Sequence, residues 1–429
     1  MQRAFFLVLF LCAVVLSHAQ HANAPRVSLS LDDALRLGVE NSLSLQRSLL
    51  DLSSAEYSAN RLWAEVFPSI SANIGASYGS RPLFSGSGSG SVGTSASLGL
   101  NLTLNAGIPF AMRNIRLAYQ ARLLGYEDAR NQLELRITRN FYSLIADRDN
   151  LGVLTDMLQL AQMQYERDRV AFNYGRIGEL TLMQSMFAVE NARYTLSRAR
   201  SAYANGMGDF LVLIGMAQDT DAELEGEIEI TRVEIDAERL IGENLLRRPD
   251  IVSRRREIER LENAGMQALY ASRAPSLRLD AGWNARSFSP FADGVSGGAT
   301  LSIPIDPWVP GTRSSQSIRN TRIAVEQARL DLQSTETTAA AQIRALAANL
   351  HDSWYNIEIA RLGLSLAERG YELTEIGFRG GTVDSLRLED ARNNLVGARQ
   401  RLLQSELLYL FLILDISAAL NICWKELMQ

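Results

Sequence analysis

The chain has 429 residues, with 43 basic against 48 acidic side chains and a net charge of -5 at a pI near 5.5. That balance describes a solvated surface and gives no electrostatic reason to bind nucleic acid. The length suits two or three ordinary domains or one elongated one, and the sole lysine, Lys425, reflects a composition bias that carries no function.

Met1-Gln2-Arg3 supplies positive charge, Ala4 to Leu16 an apolar run, and Ser17-His18-Ala19 small residues before a cut. The run is too short to cross a bilayer as a helix. Residues 1–19 therefore read as an export signal cleaved after Ala19. Cys12 leaves with it, so Cys423 stands alone in the exported chain and no internal disulfide forms. No later segment is expected to cross a bilayer as a helix. The most apolar, Leu407 to Leu414, is stopped by Asp415.

Leu31 to Phe67 carries apolar residues at steps of three and four, with Ser30 as its cap and Asp32 and Asp33 in the first turn. Pro68 ends it. Ile70, Ala72, Ile74, Ala76 and Tyr78 then alternate with Ser71, Asn73, Gly75, Ser77 and Gly79, the pattern of a strand with one apolar face. A Gly/Ser loop, 81–93, leads to a second strand, Thr94 to Ala106, where Ala96, Leu98, Leu100, Leu102 and Leu104 alternate with Ser95, Ser97, Gly99, Asn101 and Thr103. A soluble strand runs about five or six residues, whereas a bilayer-spanning strand needs about 9–11.

Helical periodicity resumes from Met112 to about Gly215, broken at Tyr174 to Gly178, with a smaller break expected at Asp147 to Leu151. Leu151, Leu154, Leu158, Ala161 and Tyr165 follow heptad spacing and predict a coiled-coil seam. A helix of about 60 residues is roughly 90 Å long, far more than a compact domain needs. Asp219 to Asp236 is acidic. The alternation of Ile228, Ile230, Val233 and Ile235 within it reads as a connector or a small strand.

The order then repeats. A helix from about Ile241 to Arg273 meets Pro275. A third strand sets Leu277, Leu279, Ala281, Trp283 and Ala285 against Arg278, Asp280, Gly282 and Asn284. A loop with Pro290, Gly294, Gly297 and Gly298 precedes a fourth strand, Ala299 to Asp306, with Pro304 as its weak point. Helices run from about Ser315 to Glu375 and, after a break at Gly377 to Thr382, to about Asn421. Phe67-Pro68-Ser69 matches Ala274-Pro275-Ser276, and Phe172 to Gly175 matches Phe378 to Gly381, both at an offset of about 206 residues. The chain thus divides into a signal, 1–19, and two repeats, 20–222 and 223–429, with hairpins at about 69–106 and 276–306.

Four bilayer-length strands cannot close a barrel, since single-chain barrels start at about eight, and an open edge is forbidden in lipid. If these strands span a membrane, several chains share one barrel, and the charges of Arg278 and Asp280 face its aqueous lumen. The fold class is then mixed helix and membrane strand, with the helices pointing away from the bilayer as a bundle or tube. Trp283 fits an interfacial aromatic girdle, Trp63 suits core packing better, and Trp308 fits either.

Nothing in the sequence supports an enzyme, a cofactor or a metal. His351 beside Asp352 reads as a surface histidine, no His/Cys cluster has ligand spacing, and the Gly-rich runs join strands rather than precede helices.

The entry helix LSLDDALRLGVENSLSL, the Pro-Ser entry to each odd strand, Arg248-Pro249-Asp250 and above all YELTEIGFRGGTVDSLRLEDARNNL make the chain resemble the TolC-like outer-membrane efflux proteins. The resemblance implies a homotrimer with a twelve-stranded barrel continued by an α-helical coiled-coil tunnel across the periplasm. It implies a passive exit duct in outer-membrane lipid, working with an inner-membrane pump and a periplasmic adaptor in tripartite efflux or type I secretion. The turns at Gly175, Gly178, Gly380 and Gly381 would form the periplasmic tip. Thr181 and Gln184 in the first repeat, and Arg387 and Asp390 in the second, would line the entrance. Asp390 fits the family's acidic constriction and Arg387 departs from it. Their spacing puts them on one helix face, where they either help shut the entrance or form an ordinary surface pair. The competing reading is a helical scaffold without a pore.

Overall fold

In the computed structural model the described residues are 27–79, 91–288, 291–422 and 424–427. The expected export signal, 1–19, with Cys12 and His18, lies outside them, as do His21 and Cys423. The chain folds into two units, each drawing on both halves of the sequence: residues 1–46, 129–244 and 340–429 in one, and 47–128 and 245–339 in the other.

In the first unit β1 (Val27–Leu29) pairs in parallel with β4 (Ala222–Leu224). The Ser30 hydroxyl starts α1 (Leu31–Asn41) by accepting the Asp33 amide proton at 3.2 Å. The expected helix 31–67 is not continuous. Ser42 is extended, and its hydroxyl accepts from the Leu45 amide to begin α2 (Leu43–Ala59), so a side chain competes with the helical ladder. The last stretch, Leu62–Val66, tightens into a 3-10 turn.

The long helices are α3 (Ile108–Asn173), α4 (Glu179–Leu213), α7 (Arg313–Arg379) and α8 (Ser385–Leu420). α3 has no break at Asp147 to Leu151. There Arg148 reaches out to the carbonyls of Leu224 (3.0 Å) and Gly226 (2.9 Å), while Ile145 and Leu154, before and after it in the helix, are buried. The polar run that looked like a break is a docking face for the connector. Leu158, Ala161 and Tyr165 form the expected seam, packed against Val189 and Ala192 of α4.

The alternation at 228–235 makes no strand. The hydroxyl of fully buried Tyr409 accepts from the Val233 amide (2.9 Å) and donates to the Thr231 carbonyl (3.1 Å), so a side chain holds this backbone instead of a sheet. By length and composition α8 is apolar enough to cross a bilayer, contrary to expectation. Part of its apolar surface is used inside the unit: Leu410, Ile413, Leu414, Ile416 and Leu420 are buried. The short helices α5 (Ala237–Asn244) and α9 (Trp424–Leu427) complete it.

In the second unit β2 (Ser69–Gly79), β3 (Ser91–Leu104), β5 (Ser276–Phe288) and β6 (Phe291–Ser302) form one antiparallel sheet in that order. β3 begins inside the expected loop. β6 begins before the three glycines placed in a loop and stops before Pro304, which has no amide to donate. The Asp280 carboxylate lies over Gly298 of β6, where an added Cβ would sit 2.9 Å from the acid oxygen and push that side chain aside. With β5 running on to Phe288, Trp283 sits within the strand opposite Leu98 and Val295, not at its end. Trp63 is exposed, edge-on to Phe67, not in a core. Trp308 is also exposed, beneath the Arg273 guanidinium.

Helix α6 (Pro249–Arg273) is clamped to α3 by buried Asn263, which donates to the Phe110 carbonyl (2.8 Å) and to Asn114 Oδ1 (2.7 Å). Tyr270 stacks on Phe110. On the α7 side, Glu262 and Glu336 pair with Arg329 and Arg255.

Candidate functional site

Two features of the fold bear on function. The first is the sheet. Its register stacks Ile70, Leu100 and Ala281 in one row, Ala72, Leu98 and Trp283 in the next, and Leu102, Leu279 and Ala299 in a third, all on one face. The other face carries Ser71, Asn73, Asn101, Thr103, Arg278, Asp280, Thr300 and glycines. Apolar residues stay exposed: Ile74 at 89%, Ile70 at 67% and Leu301 at 63%. A water-soluble domain buries such a face. Among the described residues, β2 and β6 leave both edges of this sheet open.

The second is the pair of turns joining α3 to α4 and α7 to α8. They are built alike. Gly175 (φ 69°) and Gly381 (φ 73°) take the left-handed conformation that ends each helix. The amide of Gly175 donates to Phe172 and that of Arg176 to Ala171. Gly381 and Thr382 donate to Phe378 and Gly377 in the same way. α7 thus reaches Arg379, two residues past the expected break at Gly377. Gly178 and Asp384 then open α4 and α8.

Behind these turns lies a cavity lined by Gln164, Asp168, Thr181, Gln184, Ser185 and Arg392, among others, with about 40 Å³ of room for water-sized molecules. Thr181 and Gln184 therefore border it. Arg387 and Asp390 do not: both are exposed, and no ion pair joins them within the chain. The backbone amide of Arg387 donates to Asp384 Oδ1 at 2.9 Å.

Two charged residues not singled out from the sequence are buried here, Asp168 at 3% exposure and Arg392 at 5%. Asp168 Oδ1 accepts from Gln164 Nε2 at 2.9 Å, while its Oδ2 and the Arg392 Nε have no protein partner. Burial pushes the Asp168 carboxyl above its ordinary range against the pull of Ser185, Gln164 and Arg167, and it lowers the Arg392 guanidinium against Glu389. A signal for both existed. Asp168 continues the heptad of Leu154, Leu158, Ala161 and Tyr165, and Arg392 falls between Leu388 and Leu395, so each is a charge at a seam position.

Outside the seams, Leu180, Met183, Phe187 and Tyr194 on α4, and Ile359, Leu362, Leu366, Leu373 and Ile376 on α7, are exposed at steps of three, four and seven. These are second, uncovered heptad stripes. Among the described residues no cluster of three or more His, Cys, Asp or Glu could hold a metal, and His351 is exposed, edge-on to Tyr355.

A family model described as outer membrane efflux protein matches residues 35–207 and 240–420. The fold is similar to that of a membrane protein from Pseudomonas aeruginosa (18% identity, TM-score 0.74, 92% of this chain and 91% of that one). It is also similar to the Campylobacter jejuni CmeC outer membrane channel (17%, 0.75, 91% and 85%). A third similar fold is the open state of the Neisseria gonorrhoeae MtrE outer membrane channel (15%, 0.71, 91% and 89%).

Proposed function

The chain belongs to the outer membrane efflux protein family, and from that membership we propose that it is the exit duct of a tripartite efflux or type I secretion system. Three copies would share one barrel of twelve strands, with β6 of one copy pairing with β2 of the next. The observation that carries this reading is the sheet: one largely apolar face, one polar face that carries Arg278 and Asp280, and two edges left open among the described residues. Lipid accounts for the first, a water-filled lumen for the second and neighbouring copies for the third. Arg278 and Asp280 would then stand in the lumen. The uncovered stripes on α4 and α7 suit helix packing between copies.

The duct would be passive, doing no chemistry and binding no cofactor, with an inner-membrane pump supplying energy through a periplasmic adaptor. The turns at Gly175 and Gly381 would mark the entrance, and Arg387 and Asp390, unpaired with each other within the chain, would be free to meet other copies there. Purified protein reconstituted in planar bilayers is expected to give single-channel steps and to run as a trimer in detergent. A non-conducting assembly would favour a scaffold, and a water-soluble monomer would end the reading. Crosslinking in cells should capture an adaptor and a transporter.

A further inference from the structure

The cavity behind the turns holds two buried groups of opposite charge that are not paired. Asp168 of α3 and Arg392 of α8 both line it, each with one polar atom lacking a protein partner. No ion pair joins them, so they face a space with room for one or two waters. The groups that face Asp168 are few. Its own helix offers Gln164 and Arg167, and Arg167 is engaged by Glu375 of α7 at 3.7 Å. α4 offers Ser185, whose hydroxyl also donates to the Leu182 carbonyl. α7 offers Tyr371, and α8 offers Arg392 with Glu389, which lie 3.6 Å from each other.

We propose that Asp168 is a positioning residue of the entrance: in its neutral form it seats α3 against α8, and its ionisation, eased only in part by the facing cations Arg167 and Arg392, loosens the turns. The proposal rests on the reading of the turns as a channel entrance. The physical cause is the cost of a carboxylate held out of water with one oxygen unpaired. A loosened entrance admits water and relieves that cost.

The sign follows from linkage. Burial raises the Asp168 carboxyl in the packed arrangement, and in a wetted one it returns toward the ordinary value. Protons therefore bind the packed form more tightly. Acid holds the entrance together, and rising pH loosens it through the window between the ordinary carboxyl range and the raised value. Arg392 narrows this window by favouring the ionised acid.

Two measurements on the full-length protein in detergent or bilayer test this. The first is hydrogen exchange across 160–175 and 385–395 from about pH 4 to about pH 8, corrected for intrinsic rates. Protection should fall with rising pH by about tenfold for each unit by which packing raises the Asp168 pKa. In Asp168→Asn, a neutral isostere, protection should stay high and independent of pH. In Arg392→Gln the wild-type transition should move to higher pH, and Arg392→Lys should restore it. The second is single-channel conductance under the same conditions, which should rise with pH in the wild type and not in Asp168→Asn. A wild-type profile without a transition, or an Asp168→Asn profile that keeps one, overturns the proposal. An unmoved midpoint in Arg392→Gln removes Arg392 from it and so overturns it as stated. Exchange that follows the predicted pattern in a protein without channel steps would sustain the Asp168 mechanism and fail the duct reading instead.

Discussion

Gly178 and Asp384 occupy the same backbone conformation in the two turns, φ/ψ −79°/161° and −80°/166°, yet only Asp384 caps its helix with a side chain. The two turns share their dihedral angles and differ in their caps. Replacing Asp384 with Ala should cost about 1 kcal/mol. Gly178→Asp should gain a few tenths, ~0.3 kcal/mol, since nothing lies within 4 Å of the added Cβ. Exchange rates in the first turns of α8 and α4 check both, with opposite directions expected.

Gly175 and Gly381 carry a stricter demand. A side chain in the left-handed region costs about 1–2 kcal/mol, and both residues adopt it. Ala at either should lower the unfolding midpoint and fray the last turn of α3 or α7. Asn, which tolerates this conformation better, should cost less than Ala.

Tyr409→Phe removes the hydroxyl that satisfies both Val233 and Thr231. The ring still fills its buried site, so the loss isolates the hydrogen bonds, at about 1–3 kcal/mol. Proteolysis and amide exchange at 228–235 should rise while α8 stays protected.

The two faces of β3 should respond oppositely to charge. Leu100→Arg puts a guanidinium on the apolar face and should cost about 2–4 kcal/mol near a bilayer midplane. Ser97→Arg, on the opposite face, should insert normally and alter ion selectivity. Membrane fractionation and reversal potentials separate the outcomes.

Phe187→Glu and Leu366→Glu change exposed stripe residues that touch no core in the single chain. Each should leave the fold of the protomer intact and shift the assembly toward smaller species in native mass spectrometry. A tenfold weakening corresponds to about 1.4 kcal/mol.

Much of this protein was fixed by periodicity alone. The alternation in Ile70 to Tyr78, Ala96 to Leu104 and Leu277 to Ala285 set the two faces of the sheet, because a strand side chain can only point up or down. The seam through Leu154, Leu158 and Ala161, the four-residue correspondence at Gly175 and Gly381, and the family resemblance were likewise in the chain order. Tertiary structure decided what depends on distant partners. Arg148 finds the carbonyls of Leu224 and Gly226, so α3 runs unbroken through a polar stretch that reads as a gap. Tyr409 holds the connector that alternation would have made a strand. Asp168 and Arg392 became buried, each with one polar atom left without a protein partner, only when helices from both halves of the chain closed around them. Local pattern dictates which way a residue faces. What waits there is set by packing, and packing is not local.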